Sequence, residues 1–151
     1  MSNLNKIAKN CGPGVFHAKK WGLDITSDIL ESLIWEAKIS LNRKARLCLH
    51  PSPGELLQIT YLAFYSPYKD RVHCHPNRIE TMIPIQGTAK FLTFDSGRAL
   101  KKEILFKDND CISVSTPKSI WHAIEVLSEV FVMIEVGMGP FSTNSTLYLE
   151  D

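Results

Sequence analysis

The sequence lacks any apolar run close to the roughly 20 residues that a helix needs to span a bilayer. Its first fourteen residues, MSNLNKIAKNCGPG, are polar and contain no apolar block of the kind that a secretory signal requires. At 151 residues the chain is also too short for two well-filled domains. We therefore expect a single cytoplasmic domain that has no membrane partner.

A strong charge of either sign is also missing, and so is any closely spaced pair of cysteines. The formal net charge is +1, which gives no electrostatic reason to expect nucleic acid as a partner. The four cysteines, Cys11, Cys48, Cys74 and Cys111, form no CxxC motif, so nothing indicates a zinc knuckle or a CxxC redox centre. In a reducing compartment we expect them to be free thiols.

The first forty residues divide into an arm and a helix. Residues 1–22 contain three glycines and a proline without sustained periodicity, which predicts an irregular N-terminal arm. Cap oxygens follow at residues 26–28, and apolar residues then recur at helical spacing through residue 37. This pattern predicts a helix within residues 23–40, at about 27–38, whose apolar face lies against a sheet or a second subunit.

From about residue 44 the sequence changes to short β-branched and aromatic segments separated by turn residues. Strands are predicted near 45–50, 56–65, 69–75, 79–86, 88–95, 98–106, 111–115, 120–127 and 130–137. The intervening segments, such as PSPGE at 51–55 and KDND at 107–110, have turn chemistry. Nine short strands predict an all-β protein in which residues 41–151 form an antiparallel barrel or sandwich such as a jelly roll.

The segment HCHPNRIE at residues 73–80 contains two histidines one residue apart. Alternate residues of a strand face the same side, so His73 and His75 share a face and Cys74 points away. After the Pro-Asn interruption, Glu80 can return beside the two rings from the neighbouring strand. His122, at the start of another predicted strand, offers a third imidazole, although alone it would indicate a core histidine bonded to a backbone carbonyl.

These residues together resemble the two motifs of the cupin superfamily. His73 and His75, then four residues, Glu80, six residues and Gly87 match every fixed position of the first motif. Residues 117–122, PKSIWH, resemble the second motif, which ends in His122. Two departures occur, because serine at 119 and cysteine at 111 stand where that motif usually has glycine.

The resemblance implies a jelly-roll barrel with one divalent transition metal bound by His73, His75, Glu80 and His122. Three imidazoles and a carboxylate suit Fe, Mn, Ni, Co or Zn better than Mg or Ca. In a six-coordinate ion these ligands leave two positions open for water or substrate. No organic cofactor is expected.

A narrower resemblance, to WbuC-type cupin-fold metalloproteins, covers roughly residues 24–141. It depends on residues 46–50, Gln58, Tyr68, residues 94–97, residues 121–122, Glu135 and residues 139–141. Members of that group are associated with bacterial O-antigen and surface-polysaccharide gene clusters. The resemblance implies that Arg46, His50 and Gln58 line the cavity.

Two further charged residues are candidates for the cavity. Arg71 has the strand parity of His73, so its guanidinium either binds a carboxylate or phosphate of the substrate or extends into solvent at the barrel mouth. Glu135 lies in the apolar run VFVMIEVG, where a charge requires a partner. It is either a pocket base or a salt-bridge acceptor for Arg46, and the salt bridge is favoured.

Three functions compete for this site. A metal-dependent isomerase, epimerase or dioxygenase-like enzyme would act on a nucleotide sugar or a related small polar ligand. A non-catalytic cupin would instead bind or sense such a ligand. A metal-free jelly roll is least favoured because it leaves the ligand spacing unexplained. A homodimer is expected, since closed dimers are the commonest soluble assembly and cupins commonly dimerise.

Overall fold

Two β-sheets dominate the computed structural model, which describes residues 4–107, 111–142 and 144–149. The helices are α1 (Leu4–Ile7) and α2 (Ser27–Ile39). The strands are β1 (Ala8–Gly12), β2 (Val15–Ala18), β3 (Lys44–Cys48), β4 (Leu57–Tyr65), β5 (His73–Cys74), β6 (Glu80–Gln86), β7 (Ala89–Phe94), β8 (Leu100–Phe106), β9 (Val114–Thr116), β10 (Trp121–Val126), β11 (Val130–Met138) and β12 (Leu147–Tyr148).

The strands form a jelly roll of two sheets. The larger sheet has the order β1-β2-β3-β4-β11-β6-β9, and the smaller has the order β12-β5-β10-β7-β8. All pairings are antiparallel except that of β2 with β3. The prediction of an all-β barrel with a short N-terminal helix is therefore confirmed. The strand expected at 69–75 is much shorter, and the turn expected at 107–110 lies mostly outside the described residues.

The inner face of the larger sheet changes from apolar at one end to polar at the other. Along the paired strands β4 and β11, the facing residues are Phe64 with Phe131, Leu62 with Met133, Thr60 with Glu135, and Gln58 with Gly137. The apolar pairs join a core cluster between the sheets. Because the polar pairs lie at the opposite end, the barrel has one filled end and one end that can hold a site.

Helix α2 covers the outer face of the larger sheet. Its buried residues Leu33 and Ala37 pack with Ala45, Leu47 and Ala63, which alternate with the inward-facing residues of β3 and β4. The apolar face of the helix thus packs on the apolar outer residues of the strands, as the spacing of its apolar residues predicts. Among the described residues, no helix is long and apolar enough to cross a membrane.

Most of residues 4–18 form regular elements, which corrects the prediction of an irregular arm for this part of residues 1–22. Strand β2 pairs in parallel with β3 and buries Phe16 and Ala18. Gly14, one of the glycines behind that prediction, forms the turn of the β1–β2 hairpin with a φ of +68°. A Cβ there would lie 2.6 Å from the Lys44 carbonyl oxygen, so glycine allows the close approach to β3. The hairpin extends the sheet beyond β3 and covers that strand's edge.

Candidate metal centre

Three histidine rings meet at the polar end of the barrel. His73 on β5 and His122 on β10 are direct partners in the sheet register, and His75 follows β5. One ring nitrogen of each lies within 4.8 Å of the other two. The structure thus brings together the three imidazoles that the sequence motifs indicate.

Backbone carbonyls fix the orientation of all three rings. Nδ1 of His73 donates to the Arg71 carbonyl at 2.8 Å, and Nδ1 of His122 donates to the Ile120 carbonyl at 2.8 Å. Nδ1 of His75 lies 2.9 Å from the Ser145 carbonyl. A carbonyl oxygen can only accept, so each Nδ1 carries a proton, and in a neutral ring with this tautomer Nε2 keeps the lone pair. Histidines that bind metals are held in this way.

Burial favours the neutral form of two of these imidazoles. It lowers the pKa of His122 to about 4, and it lowers the pKa of His75 below the ordinary value of 6.5. Both rings are therefore uncharged near neutral pH, which is the form that binds a metal.

Glu80 reaches the cluster from the opposite sheet, whereas the sequence predicted a return on the neighbouring strand. Its Oε1 lies 3.3 Å from Nε2 of His75, and its Oε2 lies 3.7 Å from Nε2 of His122. Burial raises the pKa of Glu80 to about 8, and the nearby Glu135 adds to this rise. A divalent cation at the cluster would favour the ionised carboxylate and oppose that shift.

Arg78 is a site residue that the sequence reasoning missed. Its side chain is 9% exposed; Nε lies 2.7 Å from Oε1 of Glu80, and Nη2 lies 2.7 Å from Oε1 of Glu135. A Cβ on Gly137 would lie 2.4 Å from the guanidinium, so glycine makes room for it. The available signal was charge balance, because a buried carboxylate beside a partly buried one requires a cation.

The predicted salt bridge between Arg46 and Glu135 is absent. Arg46 on β3 is level with Leu62 and Met133 across the sheet, whereas Glu135 is level with Thr60. Strand β4 also lies between the two charges, and Arg78 forms the ion pair with the Glu135 carboxylate instead. Arg46 lines the cavity and forms no ion pair with any other described residue.

Arg71 lies at the cavity wall and is exposed. Its guanidinium carbon is 4.6 Å from the ring centre of Tyr148, on strand β12. Strand β12 pairs with β5 and covers the histidine strand, although no strand was predicted there. The role of Arg71 in binding a ligand stays a prediction.

A cavity of about 800 Å³ opens beside the histidines. His50 and Gln58 also line it, as the resemblance implied. Gln58 is fully engaged, since its amide nitrogen donates to the Pro53 carbonyl at 2.8 Å and its oxygen lies 3.4 Å from Nη1 of Arg78. The volume lies within the range of sites for small polar ligands.

The departures from the second motif leave its turn in place. Ser119 has a φ of +63°, the left-handed conformation that glycine adopts more easily. Its backbone N–H donates to the His75 carbonyl at 3.0 Å, which ties this turn to a candidate ligand. Cys111 packs against the core between the sheets. The serine therefore adopts the backbone conformation that the motif requires.

The donor set fits a divalent transition metal. Three imidazoles lie together with one potential ligand nitrogen each, and a buried carboxylate lies beside two of them. Nitrogen donors with one carboxylate suit Mn, Fe, Co, Ni or Zn. Two facing sheets with this cluster between them define a cupin-fold protein.

The chain belongs to a protein family described as a domain of unknown function, DUF6016. The profile of that family matches residues 25–106, which is more than half of the chain. No curated protein sequence matches.

Solved structures show the same fold. Bacillus subtilis oxalate decarboxylase, with Mn(II) centres, matches with a TM-score of 0.52 at 18% identity, over 63% of this chain and 24% of its own. The capsular polysaccharide assembling protein CapF of Staphylococcus aureus matches with a TM-score of 0.57 at 19% identity, over 70% and 29%. Procruciferin, an 11S globulin of Brassica napus, matches with a TM-score of 0.52 at 13% identity, over 62% and 23%.

These matches span about a quarter of the length of each solved protein. Since identity is below 25%, they establish the cupin fold of this chain. A decarboxylase, a polysaccharide assembling protein and a globulin share that fold, so function must be argued from the site.

Proposed function

We propose that the protein is a metal-dependent cupin enzyme that acts on a nucleotide sugar or a related polar intermediate of bacterial surface-polysaccharide metabolism. One observation carries the proposal. Three histidines with Nδ1 bonded to carbonyls lie together with Glu80 beside a cavity of about 800 Å³. Isomerisation, epimerisation and oxygenation are the reaction classes compatible with this donor set.

His73, His75, His122 and Glu80 would hold the metal, which would supply a Lewis acid that polarises a carbonyl or hydroxyl group. The chain itself positions those ligands. Arg78 restrains Glu80 through Nε, and a buried cation in this place limits the carboxylate to one orientation.

Two arginines on the cavity wall suit a ligand with phosphate or carboxylate groups. Arg46 forms no ion pair with any other described residue, and Arg71 is exposed with its guanidinium over Tyr148. Guanidinium groups bind such anions through paired hydrogen bonds. We infer that these two residues bind the anionic part of the ligand.

The proposed pathway is supported by two likenesses. The narrower sequence resemblance is to WbuC-type cupins, and CapF is a capsular polysaccharide assembling protein. A cytoplasmic location and the absence of nucleic-acid partners stay predictions from composition.

The proposal is tested with protein loaded with Mn(II), Fe(II) or Zn(II) and incubated with a panel of nucleotide sugars, with products detected by mass spectrometry. We expect conversion by the wild-type protein, and loss of conversion and of the metal bound at the three histidines in His73→Ala and Glu80→Ala. Arg98→Ala, on an exposed turn, is the matched control. Conversion that continues after the metal is lost contradicts the proposal.

A second candidate is a cupin that binds its ligand without turnover. It is favoured by the ion pairs of Arg78, which contacts an oxygen of both Glu80 and Glu135. Neither carboxylate is then free to act as a base. Thermal stabilisation by a nucleotide sugar without any product would support this candidate against the enzyme.

We also propose that the protein is a homodimer. Large apolar side chains are exposed near the end of α2, including Trp35 at 56% and Ile39 at 58%. Light scattering should give twice the mass of one chain, and a monomeric mass at working concentration contradicts the proposal.

A further inference from the structure

A second cluster of metal-ligating side chains lies on the same cavity, away from the three histidines. It consists of His17 on β2, Cys48 on β3 and His50, two residues beyond Cys48. His17 and Cys48 are direct partners in the parallel register, and one potential ligand atom from each of the three residues lies within 4.8 Å of the others. We call these residues the thiol cluster.

Backbone groups hold both histidines of the thiol cluster. Nδ1 of His17 donates to the His50 carbonyl at 3.1 Å. Nδ1 of His50 lies 3.2 Å from both the carbonyl oxygen and the amide nitrogen of Ile59. When Nδ1 carries the proton and donates to that carbonyl, Nε2 keeps the lone pair that a metal needs.

The thiol is also buried and supported. Cys48 is 5% exposed, and the hydroxyl of Thr60 donates to its sulfur at 3.8 Å. This hydrogen bond favours the thiolate, which is the form that binds metals, but burial outweighs it and raises the pKa of the Cys48 thiol above its ordinary value of 9.0. The two imidazole rings stand at 82° to one another with centres 5.2 Å apart, in an edge-to-face arrangement.

We infer that His17, Cys48 and His50 form a second metal site that binds a thiophilic or borderline ion such as Zn²⁺. Binding would release the thiol proton to solvent, so that the ion and the thiolate carry a net charge of +1. Two imidazoles and one thiolate are softer donors than three imidazoles and a carboxylate. The two clusters therefore differ in the ions that they prefer.

The inference is independent of the proposed enzyme activity, because it depends on different residues. It is tested by spectroscopy of reduced protein titrated with Co²⁺ under anaerobic conditions. A thiolate ligand gives a sulfur-to-cobalt charge-transfer band in the near ultraviolet, and an all-histidine and carboxylate site gives none. We expect this band in the wild-type protein and in His73→Ala, and we expect its loss in Cys48→Ser and His17→Ala.

Cys111→Ser is the matched control, since Cys111 packs at the apolar end of the barrel and should leave the band unchanged. His17 is only half-buried, so His17→Ala tests the site even if Cys48→Ser fails to fold. Zinc analysis should give a second ion per chain in the wild-type protein that is lost in the two cluster variants.

A wild-type titration without the charge-transfer band overturns the second site, as does a band that persists in His17→Ala. If metal still binds the three histidines in that case, the proposed function stands. Conversely, a thiolate band in a protein without nucleotide-sugar conversion supports the second site and removes only the proposed activity.

Discussion

The cavity has two clusters of metal-ligating side chains that differ in donor chemistry and in origin. The histidine cluster takes His73, His75 and His122 from the smaller sheet and a carboxylate from the larger sheet. The thiol cluster takes its residues from β2, β3 and the segment just beyond β3. Both clusters fix imidazoles through Nδ1 contacts with backbone groups, but among the described residues only the histidine cluster has a carboxylate in contact with its rings.

The difference separates two ways of assembling a metal site. In the histidine cluster, a short HxH segment places two rings together, and its neighbour in the sheet register supplies the third. In the thiol cluster, a parallel strand pairing brings His17 to Cys48 from distant sequence. Variants that disturb one cluster and not the other therefore test whether the two act separately.

Replacement of Arg78 should have the largest effect, and it should be confined to the histidine cluster. Arg78→Leu leaves the buried Glu80 and the partly buried Glu135 without their cation, which we expect to lower the free energy of unfolding by about 3–5 kcal/mol. Urea unfolding of the metal-free protein measures this loss, and cobalt spectra should show the thiolate band intact.

Arg71→Leu is the matched control for Arg78→Leu. That arginine is exposed over Tyr148, so its removal should cost less than about 1 kcal/mol. Equal losses of unfolding free energy in the two variants would contradict the prediction that the ion pairs of Arg78 stabilise the fold.

Asp70→Asn tests a cavity-wall charge that belongs to neither cluster. Burial raises the pKa of Asp70, but the Lys44 ammonium 3.6 Å away and the Tyr68 hydroxyl outweigh burial and hold it below the ordinary value of 3.8. A lowered pKa contributes stability above pH 3.8 that is lost as pH falls through the folded-state value. We expect Asp70→Asn to cost about 2 kcal/mol at pH 7.

The difference between Asp70→Asn and the wild-type protein should shrink below pH 3.8, as measured by urea unfolding across pH. Asp24→Asn, at an exposed position, should change nothing. A difference that is constant with pH contradicts the assignment, and metal binding at both clusters should be retained.

Thr60→Val should weaken the thiol cluster alone. It removes the hydroxyl that donates to Cys48, and loss of such a supporting bond typically weakens metal affinity about 10-fold. Competitive zinc titration measures the change. Thr116→Val is the control, because the hydroxyl of Thr116 is buried without a hydrogen-bond partner in the described part of the chain. Equal zinc affinity in Thr60→Val and wild type would show that the hydroxyl does not support the site.

Ser119→Gly should have the smallest effect and concerns the turn beside His75. Glycine relieves the positive φ at this position, so we expect a gain of about 1 kcal/mol in the free energy of unfolding. Ser113→Gly, where φ is not positive, should instead lose a few tenths of a kcal/mol. Thermal unfolding distinguishes the two, and a loss in Ser119→Gly contradicts this account of the turn.

The histidine cluster could be predicted because residues close together in the sequence determine much of its geometry. Strand parity places His73 and His75 on one face, and the interval to Gly87 locates Glu80. The helical spacing of the apolar residues likewise predicts α2. Long-range partners carry no such signal, since Arg78 contacts Gln58 and Glu135 at separations of 20 and 57 residues.

The thiol cluster could not be predicted for a related reason. Residues 12–14, two glycines and a proline, suggest a break, yet Gly14 allows β2 to approach β3 closely enough to pair. Without that pairing, His17 has no reason to meet Cys48. The order of the strands also decides the partner of Glu135. Strand β4 lies between Arg46 on β3 and Glu135 on β11, and Arg78 forms the ion pair with Glu135.

The central claim is that His73, His75 and His122 hold a metal ion. Anomalous diffraction at the zinc edge, from crystals grown with Zn²⁺, tests it most directly. The account predicts a peak about 2.1 Å from the Nε2 atom of each of the three histidines. A map that shows zinc elsewhere but no peak among these three atoms would contradict the account.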